Sequence, residues 1–386
     1  MPGTIDSFWR SPRWTGLTCF ACGRSHPTTH LATVCESCAL PLRVDYDLAA
    51  PPSPEALRKR PSTMWRYREV LPVAAGSEVS LSEGMTPLLP ATDSVWVKDE
   101  SRNPTGSFKA RGMSAAVSVA KEFGVQALRA PSAGNAAGAL AAYGAAAGLP
   151  VVVAMPRDTP RAFVEECRVY GAEVVLVDGT IADAGKWLRE HGPHDAFDVS
   201  TLREPHRIEG KKTMGFELWE QFADLGGGLP DVVLYPTGGG TGLIGMWKAW
   251  EELRRLRWIR PEAATPRMVS VQVEGCAPVV TAFAAGASVT VPFPNPETQA
   301  WGLRVPSPLG GFLCLRAVHE SGGTAIAVPE AKMEAATREL ARRSGLDICP
   351  EGGAAWAALA ELRASGWVRP GERVVVFNTG TGLKYR

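Results

Sequence analysis

From about residue 66 onward, short apolar runs alternate with longer stretches whose apolar residues recur at helical spacing. The Val-rich runs at 151–154, 174–177, 232–235, 269–273, 325–328 and 374–377 predict strands. Helices are predicted over about 107–123, 135–147, 161–170, 240–256, 330–344 and 354–365. Strands separated by helices of this length predict an α/β fold with largely parallel sheets. The longest uncharged stretch, 136–156, could span a bilayer by length, but it is Ala- and Gly-rich and broken by Gly148 and Pro150. It therefore predicts a buried helix, a turn and a strand.

Residues 1–48 lack this alternation and are rich in Cys, His, Thr and Pro, which sets them apart as a small module. Residues 49–65 predict a linker with at most one helical turn, because the prolines at 51, 52 and 54 interrupt regular structure. Within the module, Cys19-x-x-Cys22 and Cys35-x-x-Cys38 form two knuckles twelve residues apart. That spacing points to a tetrahedral four-thiolate zinc site, structural because protein fills all four positions; a redox pair or a cluster are weaker readings. His26 and His30, between the knuckles, are expected at the surface. The other four cysteines, Cys167, Cys276, Cys314 and Cys349, are scattered and predict buried thiols.

Composition adds limits rather than identity. A chain of 386 residues, 45% apolar and 21% charged, is ordinary globular material for two or three domains. Its 41 Lys and Arg balance 40 Asp and Glu, so no excess charge draws it to nucleic acid or to an anionic membrane. The N-terminal sequence has no secretory pattern, which predicts a cytoplasmic protein. A small neutral or zwitterionic partner suits this balance.

The candidate chemistry lies at Gly-rich turns before helices, where unpaired N–H groups and the positive dipole end can hold anions. Pro104-Thr105-Gly106-Ser107 leads into the first such helix, with Thr105 or Ser107 able to cap it and Gly124 to end it. Lys109 then lies in the first turn, where the dipole disfavours an ammonium and favours the neutral amine that imine formation requires. Taken alone, it is also what a surface lysine looks like. Ser132-Ala133-Gly134-Asn135 opens the next helix; its N–H groups suit a carboxylate, and the Asn135 amide suits a phenolic oxygen. After the strand at 232–235, Gly238-Gly239-Gly240-Thr241-Gly242 lets backbone N–H groups approach a phosphate, without the ending of a P-loop or a dinucleotide fingerprint. Thr379, at the end of the last strand, offers a hydroxyl for a ring nitrogen.

In this order the segments resemble the fold-type II pyridoxal-phosphate (PLP) enzymes of the tryptophan synthase β type, and among them the threonine synthase group. The likeness runs from Gly84-Met85-Thr86-Pro87-Leu88 to the C-terminus through the Lys109 block, Ser132–Asn135, Glu209-Gly210-Lys211-Lys212-Thr213, the glycine loop, Pro350-Glu351-Gly352-Gly353 and Asn378-Thr379-Gly380-Thr381-Gly382. The resemblance implies two α/β domains beside the zinc-ribbon module: a large one from 66–98 and 208–386, and a small one from 99–207. It implies a Schiff base at Lys109, cofactor contacts at Asn135, Gly238, Gly239, Gly240, Thr241, Gly242 and Thr379, and a homodimer. Substrate contacts are implied at Ser107, Ser132, Ala133, Gly134, Asn135 and Arg207. The neutral hydroxyl of Thr379 makes a weaker electron sink than a charged partner would, which favours elimination over transamination.

The implied reaction is γ-elimination of phosphate from O-phosphohomoserine and addition of water at Cβ to give threonine. Three features depart from the synthase pattern: Ala133 where a second hydroxyl is common, a glycine loop without asparagine, and Glu204, a carboxylate expected to oppose a dianionic phosphate. The segment 298–306 also differs. Arg207, Lys211, Lys212 and Arg304 are candidates for an anionic group. A β-eliminating or β-replacing enzyme acting on threonine, serine, diaminopropionate or a cysteate precursor is the alternative, and a non-catalytic zinc-ribbon binding protein the non-enzyme one.

Overall fold

The computed structural model describes residues 13–386. Residues 1–12, where a leader would begin, lie outside that range. Along the chain run β1 (Trp14–Cys19), β2 (Ser25–His26), β3 (Leu42–Tyr46), α1 (Pro54–Arg58), β4 (Leu88–Thr92), β5 (Val95–Asp99), α2 (Lys109–Glu122) and β6 (Leu128–Pro131). There follow α3 (Asn135–Ala147), β7 (Val151–Pro156), α4 (Arg161–Val169), β8 (Glu173–Val177), α5 (Ile181–His191), β9 (Phe197–Asp198) and α6 (His206–Asp224). The rest is β10 (Val232–Pro236), α7 (Thr241–Arg255), β11 (Arg267–Val273), α8 (Pro278–Ala284), α9 (Gly311–Glu320), β12 (Thr324–Val328), α10 (Glu330–Ser344), α11 (Pro350–Ala364) and β13 (Val374–Asn378).

By contacts the chain forms two units, one of Met1–Gly84, Asn103–Thr105 and Lys109–Thr213, the other of Met85–Arg102, Gly106–Phe108 and Met214–Arg386. The first holds a three-stranded antiparallel sheet, β2-β1-β3, and a four-stranded parallel sheet, β8-β7-β6-β9. In the small sheet Leu42, Val44 and Tyr46 of β3 are buried at the period of two that a half-buried sheet requires, as are Leu17 and Cys19 of β1, while Trp14 is buried one residue out of step across a register shift between Trp14 and Gly16. Between the sheets in sequence, Ser53 caps α1 by accepting from Ala56 N at 3.3 Å, with Pro54 at the first helical position. The linker thus contains its one helical turn.

In the parallel sheet β7 is buried along its whole length, which explains why its sequence reads as an unbroken apolar run. Gly148, at φ 72°, closes α3 and turns the chain into β7. The uncharged stretch 136–156 is therefore a helix, a turn and a strand, and no helix among the described residues is long and apolar enough to cross a membrane. Val117, Leu140, Tyr143 and Val153 lie in one buried cluster, each large side chain adding about 1.5–3 kcal/mol by burial.

The second unit is a six-stranded sheet, β12-β11-β10-β13-β5-β4, parallel except for the edge pair β4–β5. Its core joins Val95, Val97, Val232, Leu234, Val269, Val374 and Val376 to Leu359 and Trp356 of α11. Lys98 of β5 is fully buried and donates to Glu217 at 2.8 Å, Thr86 O at 2.7 Å and Gln221 at 3.0 Å. Glu217 also accepts from Met85 N at 2.8 Å and Thr86 N at 3.3 Å, so the Gly84–Leu88 motif is anchored from α6.

All six predicted strands and six predicted helices are present with small boundary shifts. The helix expected from 354 starts at Pro350, because Cys349 caps it by accepting from Gly352 N. Nothing in the hydropathy pattern marked β4, β5, β6, α5, α6 or α9. In α6 the reason is physical: Glu209, Lys211, Lys212 and Glu217 are buried within it, which erases the apolar period.

Candidate active site

In the first unit, α2 begins at Lys109, which is half-buried. The Gly124 stop is present at φ 69°. Helix α6 crosses α2 closely because Gly112 and Gly210 lack side chains: a Cβ on Gly210 would stand 1.9 Å from Arg111 O, and one on Gly112 2.8 Å from Lys211 Cε. This crossing carries Lys211 into the Lys109 neighbourhood. Burial first, and then the charges of Arg207 and Lys109, hold the Lys211 amine well below its ordinary value of 10.5.

Arg207 lies in the first turn of α6, 2% exposed. One guanidinium nitrogen donates to Val199 O at 2.8 Å, while its Nε is buried without a hydrogen-bond partner in the protein. Burial lowers its pKa to about 10 against the opposing pull of Glu204 and Asp198, so it is charged at neutral pH. Glu204 has an internal structural role besides its charge. Its carboxylate accepts from His206 N at 2.9 Å and Arg207 N at 2.8 Å and pairs with His206 Nδ1 at 2.5 Å, so it caps α6 as fixed internal structure. Lys212 is likewise engaged: its Nζ pairs with Glu209 at 2.5 Å and sits 4.1 Å over the Tyr46 ring.

Ser132, Ala133, Gly134 and Asn135 form the half-buried turn from β6 into α3. Gly134 is the N-cap in extended conformation, and no side chain caps the helix. A helix start without a side-chain cap suits a carboxylate.

In the second unit, Ser107 and Thr379 are neighbours. Ser107 bridges to Gly380, Phe108 N donates to Thr379 O at 3.1 Å and Thr381 N donates to Gly106 O at 2.8 Å. The segment that ends one residue before Lys109 is thus stitched to the end of β13. Ser107 does not cap: its hydroxyl is buried and makes no hydrogen bond within the protein. The Thr379 hydroxyl lies 3.7 Å from the Cys349 thiol, which burial pushes well up from its ordinary range.

The loop Gly238–Gly242 follows β10 and leads into α7, whose N-cap Gly240 has φ 82° and no side-chain cap bond. Close neighbours account for three of its glycines. A Cβ would stand 2.1 Å from Gly302 O at Gly238, 2.1 Å from Cys314 Sγ at Gly240 and 1.9 Å from Tyr235 Oη at Gly242. Bare backbone at the start of a fifteen-residue helix is a fit for a phosphate. Arg304, by contrast, donates to Pro296 O at 3.2 Å and covers the Trp301 ring at 5.1 Å.

Cys19, Cys22, Cys35 and Cys38 converge in the small sheet's loops. Their sulfurs are 3.5 Å (19–38), 3.6 Å (22–35) and 3.8 Å (22–38) apart, and all four lie within 4.8 Å of one another. A tetrahedron with Zn–S bonds of about 2.3 Å has S–S edges of about 3.8 Å, so the set fits zinc. Ala21 N and Cys22 N approach Cys19 Sγ, and Ser37 N approaches Cys35 Sγ, which suits thiolates. His26 is buried rather than on the surface; His30 is exposed. The four scattered cysteines are buried free thiols.

The chain is similar to known proteins over most of its length. The family model described as pyridoxal-phosphate dependent enzyme matches residues 79–380. The threonine synthase of Methanocaldococcus jannaschii is 35% identical over 379 residues, covering 95% of this chain and 92% of the relative. That of Methanosarcina acetivorans is 34% identical with the same coverages. Among solved structures, the threonine deaminase of T.th. superposes with a TM-score of 0.61 at 27% identity, covering 77% of this chain and 92% of that one. A lysine-led helix, uncapped helix starts beyond parallel strands and this span of similarity have one common explanation: the chain belongs to the fold-type II pyridoxal-phosphate-dependent enzymes, on the threonine-synthase-like side of that family.

Proposed function

We propose that the protein is a threonine synthase, releasing phosphate from O-phosphohomoserine and adding water at Cβ. The observation that carries this reading is Arg207, a buried guanidinium with a donor unused by the protein, beside a carboxylate already fixed by the α6 cap. Relatives named threonine synthase, matched over 92% of their length, support it.

Lys109 would hold the cofactor covalently, Gly238 to Gly242 its phosphate, Asn135 its phenolic oxygen and Thr379 its ring nitrogen. When bound, PLP supplies an aldehyde and an electron-withdrawing ring that stabilises negative charge next to the substrate nitrogen. Lys109 Nζ moves the protons at Cα and Cβ. Ser132 to Asn135 bind the substrate carboxylate, and Arg207 takes the leaving phosphate as it gains charge. Family membership also supports a cytoplasmic homodimer, and the sulfur tetrahedron supports one structural zinc per chain.

Incubation with O-phosphohomoserine, threonine, serine and diaminopropionate, following phosphate, keto acid and ammonia, tests the substrate. Phosphate and threonine in equal amounts are expected. Keto acid and ammonia without any phosphate release would replace this reading with the dehydratase one, which the likeness to a threonine deaminase favours. Lys109→Ala should abolish the cofactor's bound absorption band and slow turnover by at least about 10²–10⁴-fold. Metal analysis of the purified protein should return zinc.

A further inference from the structure

The N-terminal module makes contacts that a separate stabilising ribbon would not need. Trp14, at the start of β1, is 8% exposed and packs edge-on to the His206 ring, with centroids 5.1 Å apart at 80°. Phe123 lies against the same indole at 6.3 Å, and the indole N–H is fixed to Gly16 O at 3.0 Å. Tyr46 pairs with Trp14 across the sheet and presents its ring to Lys212. Lys212 follows His206 by six positions, so the module grips α6 at two points about 9 Å apart along its axis.

The first grip falls on the group that orients Arg207. His206 pairs with Glu204, and Glu204 accepts from the backbone N–H of Arg207. One end of the guanidinium is tied to Val199 O, and Nε is a buried donor with no partner in the protein. A hydrogen bond to an anion weakens steeply with angle, so a small rotation of the first turn of α6 would misdirect that donor. Cys19 ends the strand that Trp14 begins, so the cysteine knuckles hold β1 from its far end.

We propose that the cysteine module is a buttress for anion recognition, in which Trp14 is a positioning residue acting through His206 and Glu204 on Arg207. This rests on the reading of Arg207 as the residue that takes the substrate's phosphate. The module then serves affinity for the anionic group and leaves the chemistry at Lys109 alone.

The test uses the full-length holoenzyme. KM and kcat for O-phosphohomoserine, inhibition by inorganic phosphate, and the affinity for threonine read from cofactor absorption are compared in wild type, Trp14→Ala and Trp14→Phe. For Trp14→Ala, KM and the inhibition constant of phosphate should each rise about tenfold, the loss of roughly one charge-assisted hydrogen bond. Threonine affinity and kcat should change less than about twofold, and Trp14→Phe should recover most of the loss. Should Trp14→Ala not fold, His206→Asn keeps a polar partner for Glu204, removes the ring face and carries the same expectation. Unchanged phosphate affinity, or equal losses for phosphate and threonine, would overturn the proposal. If wild type does not turn over O-phosphohomoserine, the synthase reading fails, and the phosphate affinities of wild type and variants, measured through cofactor absorption, still decide the buttress. Absence of phosphate binding in wild type would overturn both.

Discussion

Glu204→Ala is the substitution whose consequences follow most directly from the geometry. The carboxylate is fully buried, accepts from two N–H groups in the first turn of α6 and pairs with His206. Loss of an N-cap costs about 1–2 kcal/mol. Removing a counter-charge from the buried Arg207 guanidinium costs about 3–5 kcal/mol, because that charge stays buried without compensation. These terms describe overlapping contacts and do not add, so the expected loss is about 3–5 kcal/mol in unfolding free energy by urea titration. Glu204→Gln keeps one acceptor oxygen for the helix start and should lose roughly half of that. A loss under about 1 kcal/mol for the alanine variant, the size found for solvated pairs, would refute the assignment of Glu204 as a buried cap.

Other substitutions probe separate parts of the molecule. Gly242→Ala puts a methyl 1.9 Å from Tyr235 Oη; it should destabilise by about 1–3 kcal/mol and weaken cofactor retention, measured as PLP released on dialysis. Lys98→Met strands Glu217 in the core and should cost about 3–5 kcal/mol by urea titration, only part of it recovered in a double variant that also replaces Glu217 with Leu, because Met85 N and Thr86 N then lose their acceptor. Lys211 binds its proton less readily folded than unfolded, so the native state loses stability as pH falls from 10.5 towards its folded value. Lys211→Met removes that penalty: the variant should gain stability relative to wild type as pH falls through this window, and unfolding curves at a series of pH values check the sign.

Much of this protein is legible before any coordinates. Short Val-rich runs and Ala-rich helical stretches determine the α/β class, since a buried parallel strand such as β7 shows continuous apolar character and a helix such as α3 is bounded by turn residues at both ends. The Cys-x-x-Cys pairs determine a metal-type cluster, because ligand spacing within a knuckle is local. Lys109, the turn into α3 and the glycine loop are local signals too, each a helix start read from adjacent residues.

Tertiary structure alone decides what depends on partners distant in sequence. Glu204 reads only as a negative charge until the backbone of His206 and Arg207 is seen to hold it. Gly112 and Gly210 are unremarkable until α2 and α6 cross and no Cβ fits. Helix α6 hides from hydropathy because its charged residues are buried against partners that hydropathy does not encode. The contact of Trp14 with His206 joins residues 192 positions apart. Local sequence fixes elements, because backbone bonding and capping are short-range; the environment of a charge is fixed by packing, and packing exists only in the folded chain.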